Sequence, residues 1–343
     1  MKTFSVKALS VEFTEIGGDE LKAMNQTSNQ TSRPRNVILD VDTGIDDSIA
    51  LILAARSARL RVLGVTTVAG NVEIEKTTAN TIRVLDAIGR TDIPVARGAR
   101  QPLARPLKTA AAFHGPDGLG GLDLPAPTRP PVSMTAIRFL CETLRVAAEP
   151  VTLIALGPQT NLALALLEEP DLLAAKLERV IFMGGAVAGG NSTPAAEFNA
   201  WADPEAMSVV LHGGLALTMV PWDAIFKATL PRDEVRAMEI ADDPALRLAG
   251  QLSRPFMAFF DDPEVVFCDP SAVAAAIDPA VVKTRSYHVD VETAGTLTTG
   301  MTVVDRRARV AEGAAKQRPN CEVAIDLDTE RFRHVFREAL SLG

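Results

Sequence analysis

Short apolar runs alternate with longer stretches of helical period along the chain from residue 36 onward. Runs rich in Val, Ile and Leu read as buried strands at Asn36–Val41, Val62–Thr67, Val151–Leu156, Val180–Met183 and Leu215–Val220. Segments with apolar residues recurring every three or four positions read as helices at Asp47–Ala58, Glu73–Ile88, Met134–Ala148, Thr160–Leu167, Pro204–Leu211 and Thr329–Leu340. Such alternation implies βαβ units and an α/β fold, with a mainly parallel, Rossmann-like open central sheet and helices on both faces. No repeat or change of composition divides the chain beyond residue 35, so residues 36–343 are expected to form a single domain. Residues 1–35 have no continuous apolar core and end in Asn, Gln, Thr, Ser, Arg and Pro, which predicts a flexible extension rather than a secretory signal.

Arg97 to Pro131 breaks the alternation, being rich in proline and glycine with few apolar residues in register. Loops beyond ~12–15 residues inside a compact domain are usually functional or disordered. This one carries Phe113-His114-Gly115-Pro116-Asp117-Gly118-Leu119. It reads as a mobile flap over an acidic site formed at the end of the first strand, with a plain surface excursion as the alternative.

That first strand runs straight into Asp40-Val41-Asp42-Thr43-Gly44-Ile45-Asp46-Asp47. The Thr-Gly turn places the acids at the carboxyl end of a strand, where open α/β sheets bind ligands. Carboxylates this close repel one another unless a cation neutralises them, and oxygen ligands with no His or Cys nearby favour Ca²⁺ or Mg²⁺ over zinc. Three chemistries fit the turn alone: helix-terminal capping by Asp46 and Asp47, a Mg²⁺ phosphohydrolase of the haloacid dehalogenase type with Asp40 as nucleophile and Asp42 as acid/base, or a metal-bound water activated by a carboxylate base.

Composition narrows the partners. Net charge is −8 with no basic cluster, which argues against nucleic acid. No apolar run reaches the ~18 residues that suggest a membrane span. Cys141, Cys268 and Cys321 are scattered and odd in number, which fits a reducing, cytoplasmic setting without a disulfide framework.

Further motifs stand after the later strands: Thr67-Val68-Ala69-Gly70-Asn71, Leu156-Gly157-Pro158-Gln159-Thr160-Asn161, Phe182-Met183-Gly184-Gly185, Asn191, Glu197-Phe198-Asn199, Asp203-Pro204-Glu205-Ala206, Cys268-Asp269-Pro270 and Gly300-Met301-Thr302-Val303-Val304-Asp305. In this order and spacing, from about residue 36 to the C-terminus, the chain resembles the nucleoside hydrolases, the inosine–uridine-preferring N-ribohydrolases. The dehalogenase reading needs a downstream lysine and a second acidic pair, and neither stands out.

The resemblance implies Ca²⁺-dependent hydrolysis of the N-glycosidic bond of a small-molecule ribonucleoside, giving ribose and free base, by a homodimer or homotetramer. It implies Ca²⁺ ligation by the side chains of Asp42, Asp47 and Asp269 and by the Thr160 carbonyl, with Asp42 as general base on the metal-bound water. Asp46 and Asn199 would take the ribose 2′- and 3′-hydroxyls with help from Asp269, and Asn191 and Glu197 the 3′/5′ side. Asn71 would support the acids, Met183 would line the sugar pocket, and Phe198 would pack on the ring. Met183 is equally readable as a core residue, Phe198 less readily so, Trp201 and Trp222 more readily as core than as base-stacking residues, and Asp40 as a support behind the ligands.

One position departs from the family pattern. Many purine-active members carry His just before the Asp matching Asp269, as proton donor to the leaving base; here it is Cys268, so the resemblance is closest to the subgroup with Cys at that place. Cys268 has three readings, in order: a small pocket-lining hydrophobe, a weak donor to the base, or a nucleophile. His114 in the flap is the best substitute donor, against the alternative of loop hydrogen bonding. His212 ends a helix, His288 lies in an apolar segment and His334 is on the last helix. A nucleoside- or ribose-binding homologue with little turnover remains the non-enzymatic alternative.

Overall fold

The structure is a computed structural model and describes residues 33–259, 262–308 and 317–341. The extension expected over residues 1–35 falls almost wholly outside the described residues. In chain order the strands are β1 (Arg35–Val41), β2 (Leu60–Thr67), β3 (Val95–Arg97), β4 (Val151–Ala155), β5 (Leu177–Met183), β6 (Leu217–Val220), β7 (Thr229–Pro231), β8 (Glu264–Val266), β9 (Val282–Tyr287), β10 (Val289–Val291), β11 (Thr302–Val304) and β12 (Cys321–Leu327). Eight of them form one sheet in the order β3-β2-β1-β4-β5-β6-β12-β9, and β10–β11 and β7–β8 form separate ribbons. All neighbours in the main sheet are parallel except β12 and β9. The mainly parallel α/β sheet expected from the alternation is what forms.

Strand residues divide between two apolar layers with the period of two that a pleated strand dictates. In β1, Val37, Leu39 and Val41 join one core with the helices Ile45–Arg56, Cys268–Ile277 and Thr329–Leu340, while Ile38 joins the other with Ala136–Val146, Thr160–Glu168 and Pro204–His212. Both faces are therefore covered, which is why the strands read as continuous apolar runs.

The chain leaves β1 toward β2 and β3 on one side, then restarts with β4 on the other flank of β1. The order reverses between β1 and β4, and ligands bind in the crevice beyond the carboxyl ends of the strands at such a switch point. Asp42 follows β1 and Thr160 follows β4, so the two most informative motifs share it.

Several elements differ from expectation. The helix expected from Asp47 starts at Ile45, because Gly44 caps it and the Asp47 carboxylate turns back to accept the Gly44 amide at 3.0 Å. The Cys268–Ile277 helix has no amphipathic period to mark it in the sequence, because its residues are buried all round. Arg97 ends β3, and the segment after it contains a helical turn at Ala111–His114.

Asn161 stitches the switch point together. Its Nδ2 donates to Asp40 Oδ1 at 2.7 Å and to the Thr67 carbonyl at 2.9 Å, and its Oδ1 accepts the Ala99 amide at 2.9 Å. Removing it takes a partner from the Thr67 carbonyl and the part-buried Ala99 amide and leaves Asp40 Oδ1 with Thr66 alone, the unsatisfied groups costing about 1–3 kcal/mol each before relaxation. Asn161→Ala is expected to lose about 2–4 kcal/mol in urea denaturation; a loss below about half a kcal/mol would show the network to be dispensable.

Candidate active site

A cavity of about 350 Å³ opens at the switch point. Its wall has polar members: Asp46, Asn71, Asn191, Glu197, Asn199 and Asp269. It also has aromatic members, Phe113, Trp222, Phe226, Phe256 and Phe259, together with Val266 and Cys268. Its size and mixed lining are those of a small-molecule site.

The acidic turn adjoins the cavity through Asp46. Asp42 Oδ2 accepts the Asn71 amide at 2.7 Å. Gly70 and Gly157 press on this carboxylate: a Cβ on Gly70 would overlap Asp42 Oδ2, and one on Gly157 would come within 2.6 Å of Asp42 Oδ1. Asp47 accepts from the Asp42 amide at 3.2 Å and from Asn71 Nδ2 at 2.9 Å, besides its bond to Gly44. Asp46 Oδ1 is buried without a hydrogen-bond partner. Oxygens of Asp46, Asp47 and Asp269 lie within 4.8 Å of one another. Thr160 opens its helix and donates its hydroxyl to Asp203 Oδ2 at 2.6 Å; the same oxygen accepts the Leu103 amide at 2.9 Å, tying the proline-rich segment to the site.

The electrostatics are set by burial. Desolvation drives the Asp42 and Asp269 carboxyls well above the ordinary range, with Asp47 and Asp46 respectively adding repulsion. Burial also pushes Asp46 and Asp47 up to about 6 and Glu197 up to about 7. Among the described residues the cavity wall holds no lysine or arginine. An unpartnered carboxylate oxygen and converging acids without a basic side chain are what a hard divalent ion would satisfy, so the oxygen donor set fits one.

Glu197 caps the short Phe198–Ala202 helix. Its oxygens accept the amides of Gly185 at 2.7 Å, Asn199 at 2.9 Å and Ala200 at 3.2 Å. Asn199 donates its Nδ2 to the carbonyls of Leu156 at 2.7 Å and Met183 at 3.0 Å, which leaves its Oδ1 as an acceptor beside the cavity. Met183 and Phe198 both reach the cavity wall, and Met183 also belongs to the core.

His114 is buried in the same wall, with Nδ1 accepting the Ile45 amide at 3.1 Å and lying 3.8 Å from Asp46 Oδ1. An accepting Nδ1 fixes the neutral tautomer with its proton on Nε2. Burial lowers the imidazole to about 4, which favours the same form. The Cys268 thiol is buried, and desolvation followed by repulsion from Asp46 pushes it well above the ordinary thiol value.

Asp40 stands apart. It is absent from the cavity wall, and its Oδ1 accepts from Thr66 Oγ1 at 2.6 Å and from Asn161. Asp42, Asp47 and Thr160 are likewise buried and absent from that wall; what distinguishes Asp40 is that Thr66 and Asn161 engage its Oδ1, which suits a support behind the turn. Trp222, read as core from the sequence, is half-buried against the core and also forms cavity wall, edge-on to Phe226 with centroids 5.0 Å apart; Trp201 is not part of that wall. The sequence motifs do not single out Phe113, Phe226, Phe256 or Phe259 as site residues. Phe113 is signalled by its neighbour His114; the other three lie in segments without a motif.

Comparison with known proteins gives the same reading. The family model described as inosine-uridine preferring nucleoside hydrolase matches residues 37–334. The pyrimidine-specific ribonucleoside hydrolase RihA of Salmonella gallinarum is 40% identical over 309 residues, covering 89% of this chain and 97% of that protein. The plant nucleoside hydrolase PpNRh1 superposes with a TM-score of 0.83 at 30% identity, over 90% of this chain and 100% of the other. The purine-preferring ribonucleoside hydrolase from Gardnerella vaginalis does so at 0.81 and 26%, over 90% and 98%. With its acids gathered at the switch point and these matches across nearly the whole sheet, the chain belongs to the inosine-uridine preferring nucleoside hydrolase family and is an N-glycosyl hydrolase.

Proposed function

We propose that the protein hydrolyses the N-glycosidic bond of ribonucleosides with Ca²⁺ as cofactor, releasing ribose and free base. The observation that carries this is one cavity whose wall combines carboxylates and amides with several aromatic rings, which suits a polyhydroxylated sugar joined to a flat base. Asp42, Asp47 and Asp269 by side chain and Thr160 by its carbonyl are the proposed holders of the ion, with Asp46 converging on the same place. When bound, the ion supplies the positive charge that keeps these acids ionised and acidifies water in its sphere.

The side chains do the rest. Asp42 takes the proton of the attacking water. Asp46, Asn191 and Asn199 accept ribose hydroxyls, and a site so built discriminates strongly against sugars lacking them. Glu197 and Asp46 stabilise the positive charge that grows on the ring as the C–N bond opens. The aromatic residues of the wall stack on the base and exclude water. Cys268, a buried neutral thiol, is a poor acid, so it serves as wall, and His114 offers Nε2–H as a hydrogen-bond donor. RihA's name specifies pyrimidines and the Gardnerella protein's name purines; among the described residues the cavity wall offers the base no lysine or arginine, so base choice is proposed to rest on shape and stacking. The same reading carries a homodimer or homotetramer, which light scattering checks.

The test is reducing-sugar release from purine and pyrimidine ribonucleosides in phosphate-free buffer, with and without a Ca²⁺ chelator. Chelator-sensitive release that Ca²⁺ restores is expected. Release that survives full metal removal would reject the cofactor; folded, Ca²⁺-loaded protein that binds nucleoside without releasing ribose would reject the activity. At the same site, Gly157→Ala pushes a methyl into Asp42 Oδ1 and is expected to lower kcat about 10²-fold, on the scale of displacing a catalytic group by ~1 Å; unchanged kcat would mean that Asp42 tolerates displacement.

A further inference from the structure

His212, His288 and Asp290 lie away from the cavity. His212 is the last residue of the Pro204–His212 helix, whose first turn is at Asp203 beside Thr160; nine residues at about 1.5 Å per residue put the two ends roughly 13 Å apart. His288 precedes β10 and Asp290 is within it, two residues on, so both side chains leave the same face of extended chain. Val289 and Val291 point the other way, into the core.

The two imidazoles are oriented alike. His212 Nδ1 meets the Ser208 carbonyl at 2.8 Å, and His288 Nδ1 meets the Arg318 carbonyl at 3.0 Å. A carbonyl only accepts, so both Nδ1 atoms carry the proton. In the neutral tautomer each Nε2 then holds a lone pair. Yet His212 Nε2 faces Asp290 Oδ1 at 2.9 Å and His288 Nε2 faces Asp290 Oδ2 at 3.0 Å. Two lone pairs against one carboxylate repel unless positive charge lies between them. A second proton on each ring would supply it; a single metal ion does so for both rings at once.

The geometry points to a binding site for a late first-row divalent cation of the zinc class, with His212 Nε2, His288 Nε2 and Asp290 as ligands. Their ligating atoms all lie within 4.8 Å of one another. Two imidazoles and a carboxylate suit zinc, nickel or copper, and disfavour calcium and magnesium, which take oxygen. Backbone carbonyls holding the far nitrogens are the usual support of ligating histidines. His212 and Asp290 are about half and a third exposed, which leaves access for the ion and room for water as the remaining ligand. The ion would pin the end of the Pro204–His212 helix to β10. The ribbon partner β11 carries Thr302, which accepts the Ala186 amide at 2.8 Å and donates to the Ala186 carbonyl at 2.5 Å, next to the Gly185 amide that Glu197 holds.

The test uses the whole protein, stripped by chelator and re-equilibrated with excess Ca²⁺ so that the oxygen-lined site is filled. It is then dialysed against micromolar Zn²⁺ and its metal counted by mass spectrometry, with Co²⁺ absorption as a second readout of ligand type. Wild type is expected to retain about one zinc per chain. His212→Ala, an exposed change that leaves the core intact, and Asp290→Asn should each weaken binding at least about tenfold and abolish the visible Co²⁺ bands. Wild type that retains no zinc overturns the proposal. So does a zinc content that neither substitution lowers, since the ion would then be held elsewhere.

Discussion

Asp42→Asn is expected to cut kcat about 10³-fold on every ribonucleoside tested while leaving the metal-free protein as stable as wild type or more so. The two halves come from one piece of geometry. Asp42 is fully enclosed, with one oxygen on the Asn71 amide and its carboxyl against that of Asp47. An asparagine keeps an oxygen for the Asn71 amide and turns an NH₂ toward Asp47, so a repulsive contact becomes a hydrogen bond. It cannot take a proton from water, and removal of a general base typically costs about 10²–10⁴ in rate. Loss of activity with retained or raised stability is the pattern of a group whose charge is kept for chemistry. Single-turnover kinetics and urea denaturation of the same preparation check it. If kcat falls less than about tenfold, another residue is the base, and Asp47 is the first to examine.

The acidic turn, the strand before it and the loops after β2, β4 and β5 are legible in the sequence because each couples a buried apolar run to polar residues that have no local reason to be there. The mainly parallel sheet and five of its eight strands come from alternation; β3, β9 and β12 are not among the strands read from it. What escapes is what depends on long-range neighbours. The Cys268–Ile277 helix carries no period because it is covered on every side. Phe256 and Phe259 belong to a short helix that only the tertiary fold brings to Phe113, with centroid distances of 5.3 Å to each. Nor does sequence spacing say that Asp46, Asp47 and Asp269 are carboxylates brought within ligating reach of one another, with the Asp42 amide bonded to Asp47. Asp46 and Asp47 are adjacent on a helix, so one would expect their side chains to diverge; the capping turn of Asp47 back to Gly44 changes that.

The metal-free protein is expected to lose stability as pH rises from about 5 to 8, and Ca²⁺ to remove most of that loss. Folded Asp46 and Asp47 titrate at about 6 against an ordinary 3.8, and Glu197 at about 7 against 4.5. Asp42 and Asp269 are shifted the same way, all by burial first. A carboxyl whose folded value is raised binds more protons folded than unfolded between the two values. Stability therefore falls as pH climbs from the unfolded value through the folded one. His114 acts oppositely: lowered to about 4 from 6.5, it is neutral in the fold while the unfolded chain is still protonated, and its contribution rises with pH up to about 6.5. With Asp40 also raised to about 6 and Asp203 raised, both by burial first, seven acids outweigh one imidazole, and above pH 6.5 nothing from His114 remains to offset them. A divalent ion binds the ionised acids, so it reverses the slope where the acids would otherwise repel. At free Ca²⁺ about 1,000-fold above its Kd the gain is about 4 kcal/mol, or several degrees in Tm. Thermal unfolding from about pH 5 to 8 with chelator and with Ca²⁺ gives the comparison. Parallel curves would mean that no ion is coupled to these carboxylates, and the acids would then have to share protons rather than a metal.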